Sequence, residues 1–208
     1  MGRSELAPKV KATYQAVILL LMEGADINNL TVSEITGRAG IGKGTAYEYF
    51  SNKEEMIAGA LFYEMETSCQ NLYNQMSREE SLYDKINLIL ISMERQMAEI
   101  SCFARAMHVM LDNSAIGCKL REMIKNKDQD KMLITDLIHK VIKDEMEGWE
   151  EVPEVERGYL VMTVFSRIIC FAMYQLEEKS RMGLDSAAMR EMICRDVCKS
   201  LEAYKAEK

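Results

Sequence analysis

With 208 residues, 48% of them apolar, the chain is long enough for one medium domain, or a small one and a medium one, around a sizeable core. Only 2 prolines and 11 glycines interrupt a composition dominated by Leu, Met, Ala, Glu and Lys, and there is little β-branched alternation. That excludes a β-rich fold and points to an all-α one. A net charge of −7 excludes a protein that coats nucleic acid uniformly, yet the charge is unevenly placed. Through Lys53 there are six lysines and arginines against five carboxylates; beyond it there are 20 against 28. A nearly neutral N-terminal quarter on an acidic protein leaves room for one local phosphate-binding face.

The segment from Met1 to Lys11 mixes charges and lacks the apolar core of a secretory signal. The six cysteines are therefore expected as reduced thiols of a cytoplasmic protein.

A first helix is expected over residues 8–22. Pro8 suits its first turn, where a missing N–H costs nothing, and Val10, Tyr14, Val17, Ile18 and Leu21 recur at helical spacing. Gly24 ends it. Thr31 and Glu34 have capping-box spacing, so a second helix starts there and runs to about Ala39 before Gly40 breaks it. Gly42 precedes a short third helix, roughly residues 43–50. Ser51 or Asn52 caps a fourth, which carries Glu54 and Glu55 in its first turn and continues through Leu61, Leu72 and Met76. A fifth follows Leu82, Ile86, Ile89, Met93 and Met97. A compact sixth covers 103–111, and a long seventh, polar in its middle, covers 120–146.

Gly148 and Pro153 bound the next loop. The eighth helix is expected over 154–178 and the ninth from about 186 to 204. The run Tyr159 to Leu176 is nearly all apolar but holds Arg167 at its centre, which a bilayer would penalise; burial inside a bundle or a subunit interface explains it better. The expected plan is about nine helices. An N-terminal three-helix domain, residues 1–51, precedes a C-terminal helical domain, residues 52–208, with the fourth helix shared between them.

Two short helices joined by a tight turn containing Gly form a helix-turn-helix. Ile35 and the small Ala39 lie on the inner face of the first, and Gly40 makes the turn. Ala46, Tyr47 and Phe50 are placed to pack the second helix inward. Lys43, Gly44, Thr45, Glu48 and Tyr49 then face out, where they can donate to phosphates and reach base edges in a major groove. Singly, each residue has a plain structural reading: Thr31 as a cap, Tyr47 as core with its hydroxyl at the rim, Lys53 as a surface lysine. A six-residue helix, a Gly turn and a Gly-Lys-Gly-Thr start in that order favour the joint reading.

The stretch from Ile35 to Phe50, ITGRAGIGKGTAYEYF, followed by Asn52-Lys53-Glu54-Glu55-Met56, resembles the tetracycline-repressor (TetR) family of bacterial regulators. The motif covers about a fifth of the chain, and the length and helix plan fit the same family. The resemblance implies that Thr31 and Lys53 touch phosphates at the two ends of the motif. It further implies that Lys43, Gly44, Thr45, Tyr47 and Tyr49 contact bases or backbone. Three positions depart from the family's usual pattern. Gly42 replaces a Ser or Thr and removes one hydroxyl from the phosphate contacts. Ala46 replaces a larger aliphatic residue. Glu48 stands where neutral or basic residues are frequent; a carboxylate there either accepts from a cytosine amino group or points away from DNA.

A symmetric dimer doubles the base contacts of so small a module and reads a palindrome. The apolar eighth helix and a ninth with Met189, Met192, Ile193, Val197 and Leu201 are the expected dimer elements, at about 154–178 and 186–204. The resemblance implies the same four-helix arrangement, and a small-molecule effector held between the fifth to eighth helices that releases a repressor from double-stranded operator DNA. Candidate contacts for that unidentified effector are Met93, Met97, Phe103, Arg105, Met107, His108, Met162, Phe165, Arg167 and Tyr174, among 17 methionines in all. Arg105 and Arg167 could each pair an acidic ligand or an internal carboxylate.

With two histidines, no phosphate loop, no nucleophile elbow and no metal-ligand spacing, neither an enzyme nor a resident cofactor or metal is expected. Two alternatives stand beside the ligand-released repressor. One is a thiol redox sensor using Cys194 and Cys198, four apart with Arg195 and Lys199 as nearby cations. The other is a protein-interaction module of the same family that no longer binds DNA.

Overall fold

The computed structural model describes residues 6–98, 108–175 and 185–206, and every regular element among them is helical. The chain forms two compact units: Met1–Thr67 with Glu99–Lys131, and Ser68–Ala98 with Met132–Lys208.

In the first unit α1 (Pro8–Met22) opens on its proline and buries Tyr14, Val17 and Leu21. It packs against α2 (Val32–Ala39) and α3 (Lys43–Tyr47). Between α1 and α2, Gly24 takes a φ of 93°, and the Asp26 carboxylate accepts from the Asn28 N–H and the Asn29 side chain. Asp26 thereby folds the link into a turn, and Ile27 and Leu30 drop into the core. α4 (Lys53–Met76) is capped by Asn52, whose side chain accepts from the Glu55 N–H at 2.8 Å, while Glu55 accepts from the Ser51 N–H at 2.7 Å. Within α4, residues through Thr67 belong to the first unit and those from Ser68 to the second.

Tyr14 holds the first unit's centre together, with ring contacts to Phe50 at 5.7 Å and Tyr63 at 5.8 Å. Burial, helped by the nearby Glu55 charge, pushes its phenol up to about 12. A Cβ on Gly59 of α4 would fall 2.5 Å from the Tyr14 hydroxyl and 2.8 Å from ring carbon Cζ. The ring cannot swing aside, because its neighbours hold it. Gly59→Ala is therefore expected to lower stability by about 1 kcal/mol, the middle of the net range. Overpacking costs roughly 1–3 kcal/mol and outweighs the helix-propensity gain of about 1 kcal/mol. Thermal unfolding would show a lower Tm; a higher one would contradict this packing.

The sequence suggested one long helix over 120–146, and the structure has two. α6 (Ala115–Lys125) starts earlier, with the Ser114 hydroxyl accepting from the Gly117 N–H. α7 (Ile134–Glu145) starts afresh, its first free N–H, at Leu133, donating to the Asp136 carboxylate at 2.9 Å. Between them Asn-Lys-Asp-Gln-Asp, residues 126–130, offers no apolar side chain to bury, so nothing compensates for continuing the helix there. The expected sixth helix lies mostly outside the described residues; its last turn, residues 108–111, is helical. That turn is pinned to α6, since Arg121 donates to the Met110 and Asp112 carbonyls, each at 2.7 Å.

The second unit is a bundle of α5 (Leu82–Ala98), α7, α8 (Glu154–Met173) and α9 (Ser186–Ala206). α5 packs on α7, α8 and α9, and α8 packs on both α7 and α9. Its core contains Ile86, Ile89 and Leu90 from α5, Leu137, Ile138 and Val141 from α7, Val164, Ile168 and Phe171 from α8, and Cys194, Val197 and Leu201 from α9. Charged groups tie its edges: Lys85 to Glu145 at 2.5 Å, Arg167 to Asp196 at 2.5 Å, and Arg190 to Glu94. Trp149, the chain's one tryptophan, is buried, and its indole N–H donates to His139 Nε2 at 3.1 Å.

Candidate nucleic-acid interface

α2 ends on Gly40 in the left-handed region (φ 67°), and the Ile41 N–H closes back on the Thr36 carbonyl at 3.1 Å. A side chain at Gly40 would be strained there, so this glycine sets the sharp angle between α2 and α3. Gly42 is the N-cap of α3 and offers no side-chain acceptor. α3 is shorter than the sequence suggested, Lys43–Tyr47, with a tighter turn carrying the chain through Phe50.

Ala46, with no exposed surface, and Phe50, 4% exposed, point into the unit. Lys43, Gly44, Tyr47, Glu48 and Tyr49 are exposed, and Thr45 is half-buried. Tyr47 corrects the sequence reading: it was expected to pack inward with Ala46 but is 54% exposed. At about 100° per residue, Tyr47 lies roughly 100° round the helix from Ala46, outside the narrow contact that a five-residue helix makes. Successive residues at that angle put Gly44 and Glu48 on the crest opposite Ala46 and Phe50. Among the described residues neither the Glu48 carboxylate nor the Lys43 ammonium has a side-chain partner.

The two flanking residues are already engaged. The Thr31 hydroxyl donates to Glu34 Oε2 at 2.6 Å and accepts from the Glu34 N–H at 3.2 Å; the Thr31 N–H also donates to that carboxylate. These bonds hold Glu34 below the usual carboxylate range. To bond a phosphate, the Thr31 hydroxyl must leave Glu34. Lys53 Nζ donates to the Asn28 carbonyl at 3.0 Å and keeps two further N–H donors for phosphate. The Asp26 turn that presents Asn28 to Lys53 was not anticipated, although an Asp two residues before an Asn-Asn pair could have signalled it.

The candidate effector residues that are described fall in differing environments. Met93 and Tyr174 are buried in the second unit and Phe165 is half-buried. His108 and Met162 are exposed. Arg167 has an internal partner in Asp196 and also donates to the Thr163 carbonyl. Phe103, Arg105, Met107 and the Met97 side chain lie outside the described residues.

α8, expected as a dimer element because it is too apolar for water, has an uncovered apolar face. Val155 (84% exposed), Tyr159 (71%), Met162 (54%) and Met173 form one uncovered face with Ser166 and Cys170 between them, at spacings of 4, 3, 4, 4 and 3. On α9, Met192 is exposed, but Val197 and Leu201, expected on the same outer stripe, are buried against their own unit. No helix among the described residues is long and apolar enough to cross a membrane.

Cys194 is buried and Cys198 half-buried. Burial, followed by the neighbouring Cys198, pushes Cys194 up to about 11, and burial also raises Cys198. Arg195, expected to favour a thiolate, pairs with Glu191 instead.

Residues 19–60 match the family described as "Bacterial regulatory proteins, tetR family". Similar folds include the fatty acid degradation regulator FadR from Bacillus halodurans, with a TM-score of 0.61 and 16% identity over 93% of this chain and 96% of that one. FadR from Bacillus subtilis in complex with stearoyl-CoA has a TM-score of 0.59 and 13% identity over 91% and 96%. Thermus thermophilus FadR, a repressor in complex with lauroyl-CoA, has a TM-score of 0.60 and 14% identity over 91% and 93%. Comparison with curated protein sequences finds none that matches.

Proposed function

We propose, from the match of residues 19–60 to the tetR-family regulators, that this chain is a cytoplasmic transcriptional repressor that binds a palindromic operator as a homodimer and leaves it on binding a small molecule. The observation that carries this reading is α3, seated by Ala46 and Phe50 with Lys43, Tyr47, Glu48 and Tyr49 exposed on its outer side. A surface of this kind enters a major groove, with flanking lysines on phosphate. The protein acts by binding, without catalysis and without a cofactor.

The uncovered α8 face supports the dimer. A contiguous apolar face of this length on a water-exposed helix is covered by a partner, and a second copy presents the same face in a self-complementary way. Met192 of α9 extends the contact. An effector acts only if its affinity differs between the DNA-competent and incompetent states. Two solved structures of similar fold hold long-chain acyl-CoA thioesters, so these are the first effectors to try.

Gel-shift titration of DNA upstream of the protein's own reading frame tests the proposal. The expected result is a discrete complex at low salt that is dissolved by micromolar stearoyl-CoA or lauroyl-CoA. A complex indifferent to both thioesters removes that effector class; no preference for upstream over scrambled DNA removes the regulator.

A further inference from the structure

Within this DNA-binding reading, on which the inference rests, we propose that Glu48 is a specificity-determining residue that accepts a hydrogen bond from the exocyclic amino group of a cytosine in each operator half-site. The placement comes from α3 itself. Ala46 and Phe50 fix which side of the helix faces the unit, and Glu48 lies roughly opposite their mean direction. Glu48 is exposed, and no cation among the described residues neutralises it. A turn earlier on the same crest stands Gly44, with nothing within 4 Å of where its Cβ would be. The crest is bare backbone at Gly44, so the helix can sit low in a groove and carry the Glu48 carboxylate toward its floor.

Position then decides the partner. Phosphates line the two rims of a major groove, and the crest of an inserted helix is the part furthest from both. Tyr47, about 100° round the helix from Glu48, faces toward a rim instead. On the floor a carboxylate can only accept. Cytosine offers its N4 amino group there, whereas the adenine N6 donor sits beside its own N7 acceptor, which repels a carboxylate. Guanine and thymine offer acceptors or a methyl group at these positions. The same charge is repelled wherever no amino group meets it, so Glu48 weakens binding to non-operator DNA and widens the gap between right and wrong sites.

Selection of binding sites from random duplex DNA, using the full-length protein and its Glu48→Ala and Glu48→Gln variants, tests this. Glu48 is exposed, so the variants should fold, and circular dichroism checks that they do. The wild type should enrich a palindrome with a fixed cytosine in each half-site, and replacing that cytosine should weaken binding on the order of tenfold. Glu48→Ala should lose the preference at that one position, keep the rest of the palindrome, and bind scrambled DNA more tightly. An unchanged cytosine preference in Glu48→Ala overturns the role of Glu48 while leaving DNA recognition intact. Failure of the wild type to enrich any sequence overturns both the role and the repressor reading.

Discussion

Ala46→Asp is expected to abolish specific DNA binding while the second unit stays folded. Ala46 is completely buried where α3 rests on its unit, and its backbone N–H and carbonyl bond to Gly42 and to Tyr49 and Phe50. An aspartate there puts a carboxylate into a site with no exposure to water. Such a group either ionises at a cost of several kcal/mol, reduces that cost by taking up a proton, or moves α3 to reach water. The last displaces the outward-facing residues, and the first two destabilise the unit that holds them, where a stability of about 5–15 kcal/mol for a whole domain leaves little margin. Operator affinity should fall at least a hundredfold. Trp149, the only tryptophan and a member of the second unit, reports that unit separately. Its fluorescence should be unchanged at temperatures where the far-ultraviolet signal shows the first unit loosened. A variant that binds DNA normally would show that Ala46 does not seat the reading helix.

The second large effect belongs to α8. Met162→Glu places a carboxylate in the middle of the face that runs from Val155 to Met173. In a two-fold dimer the substitution occurs twice, so the interface loses about 1.5–3 kcal/mol of apolar burial per side chain and gains two uncompensated charges. The dimer dissociation constant should rise at least a thousandfold, about 4 kcal/mol. Operator affinity should fall with it by roughly 10²–10⁴-fold, because two linked reading heads become independent ones. Sedimentation gives the first quantity. Maleimide labelling of Cys170 gives an independent one, since that thiol lies on the same face and should be shielded in the dimer but reactive in the variant. A variant that still sediments as a dimer with Cys170 shielded would place the subunit contact elsewhere.

The reading element was legible because its signals are local. Thr31 with Glu34, Gly40 at the turn and Asn52 before α4 are backbone devices with fixed spacing, and the structure uses each as the spacing implied. Sequence failed where tertiary packing decides. Periodicity said that Tyr47 could face inward; the narrow contact between α3 and its unit left it outside. One helix, polar in its middle, was expected over Leu120 to Met146, but residues 126–130 have nothing to bury and the chain breaks there. The stripe of α9 illustrates the same limit: Met192 and Val197 are equally apolar, yet one is exposed and the other buried, because α5 and α8 cover only one side of the helix. Arg167 also needed the structure, since Asp196, 29 residues away, is its partner.

The most direct test of the account is the salt dependence of operator affinity. If Lys43 and Lys53 of both subunits each neutralise one phosphate, the logarithm of the association constant should fall against the logarithm of salt concentration with a slope of about −3.6, and Lys43→Ala should flatten it by about 1.8. A wild-type slope shallower than about −1, or one that Lys43→Ala leaves unchanged, would contradict the claim that α3 and its flanking lysine hold this protein on DNA.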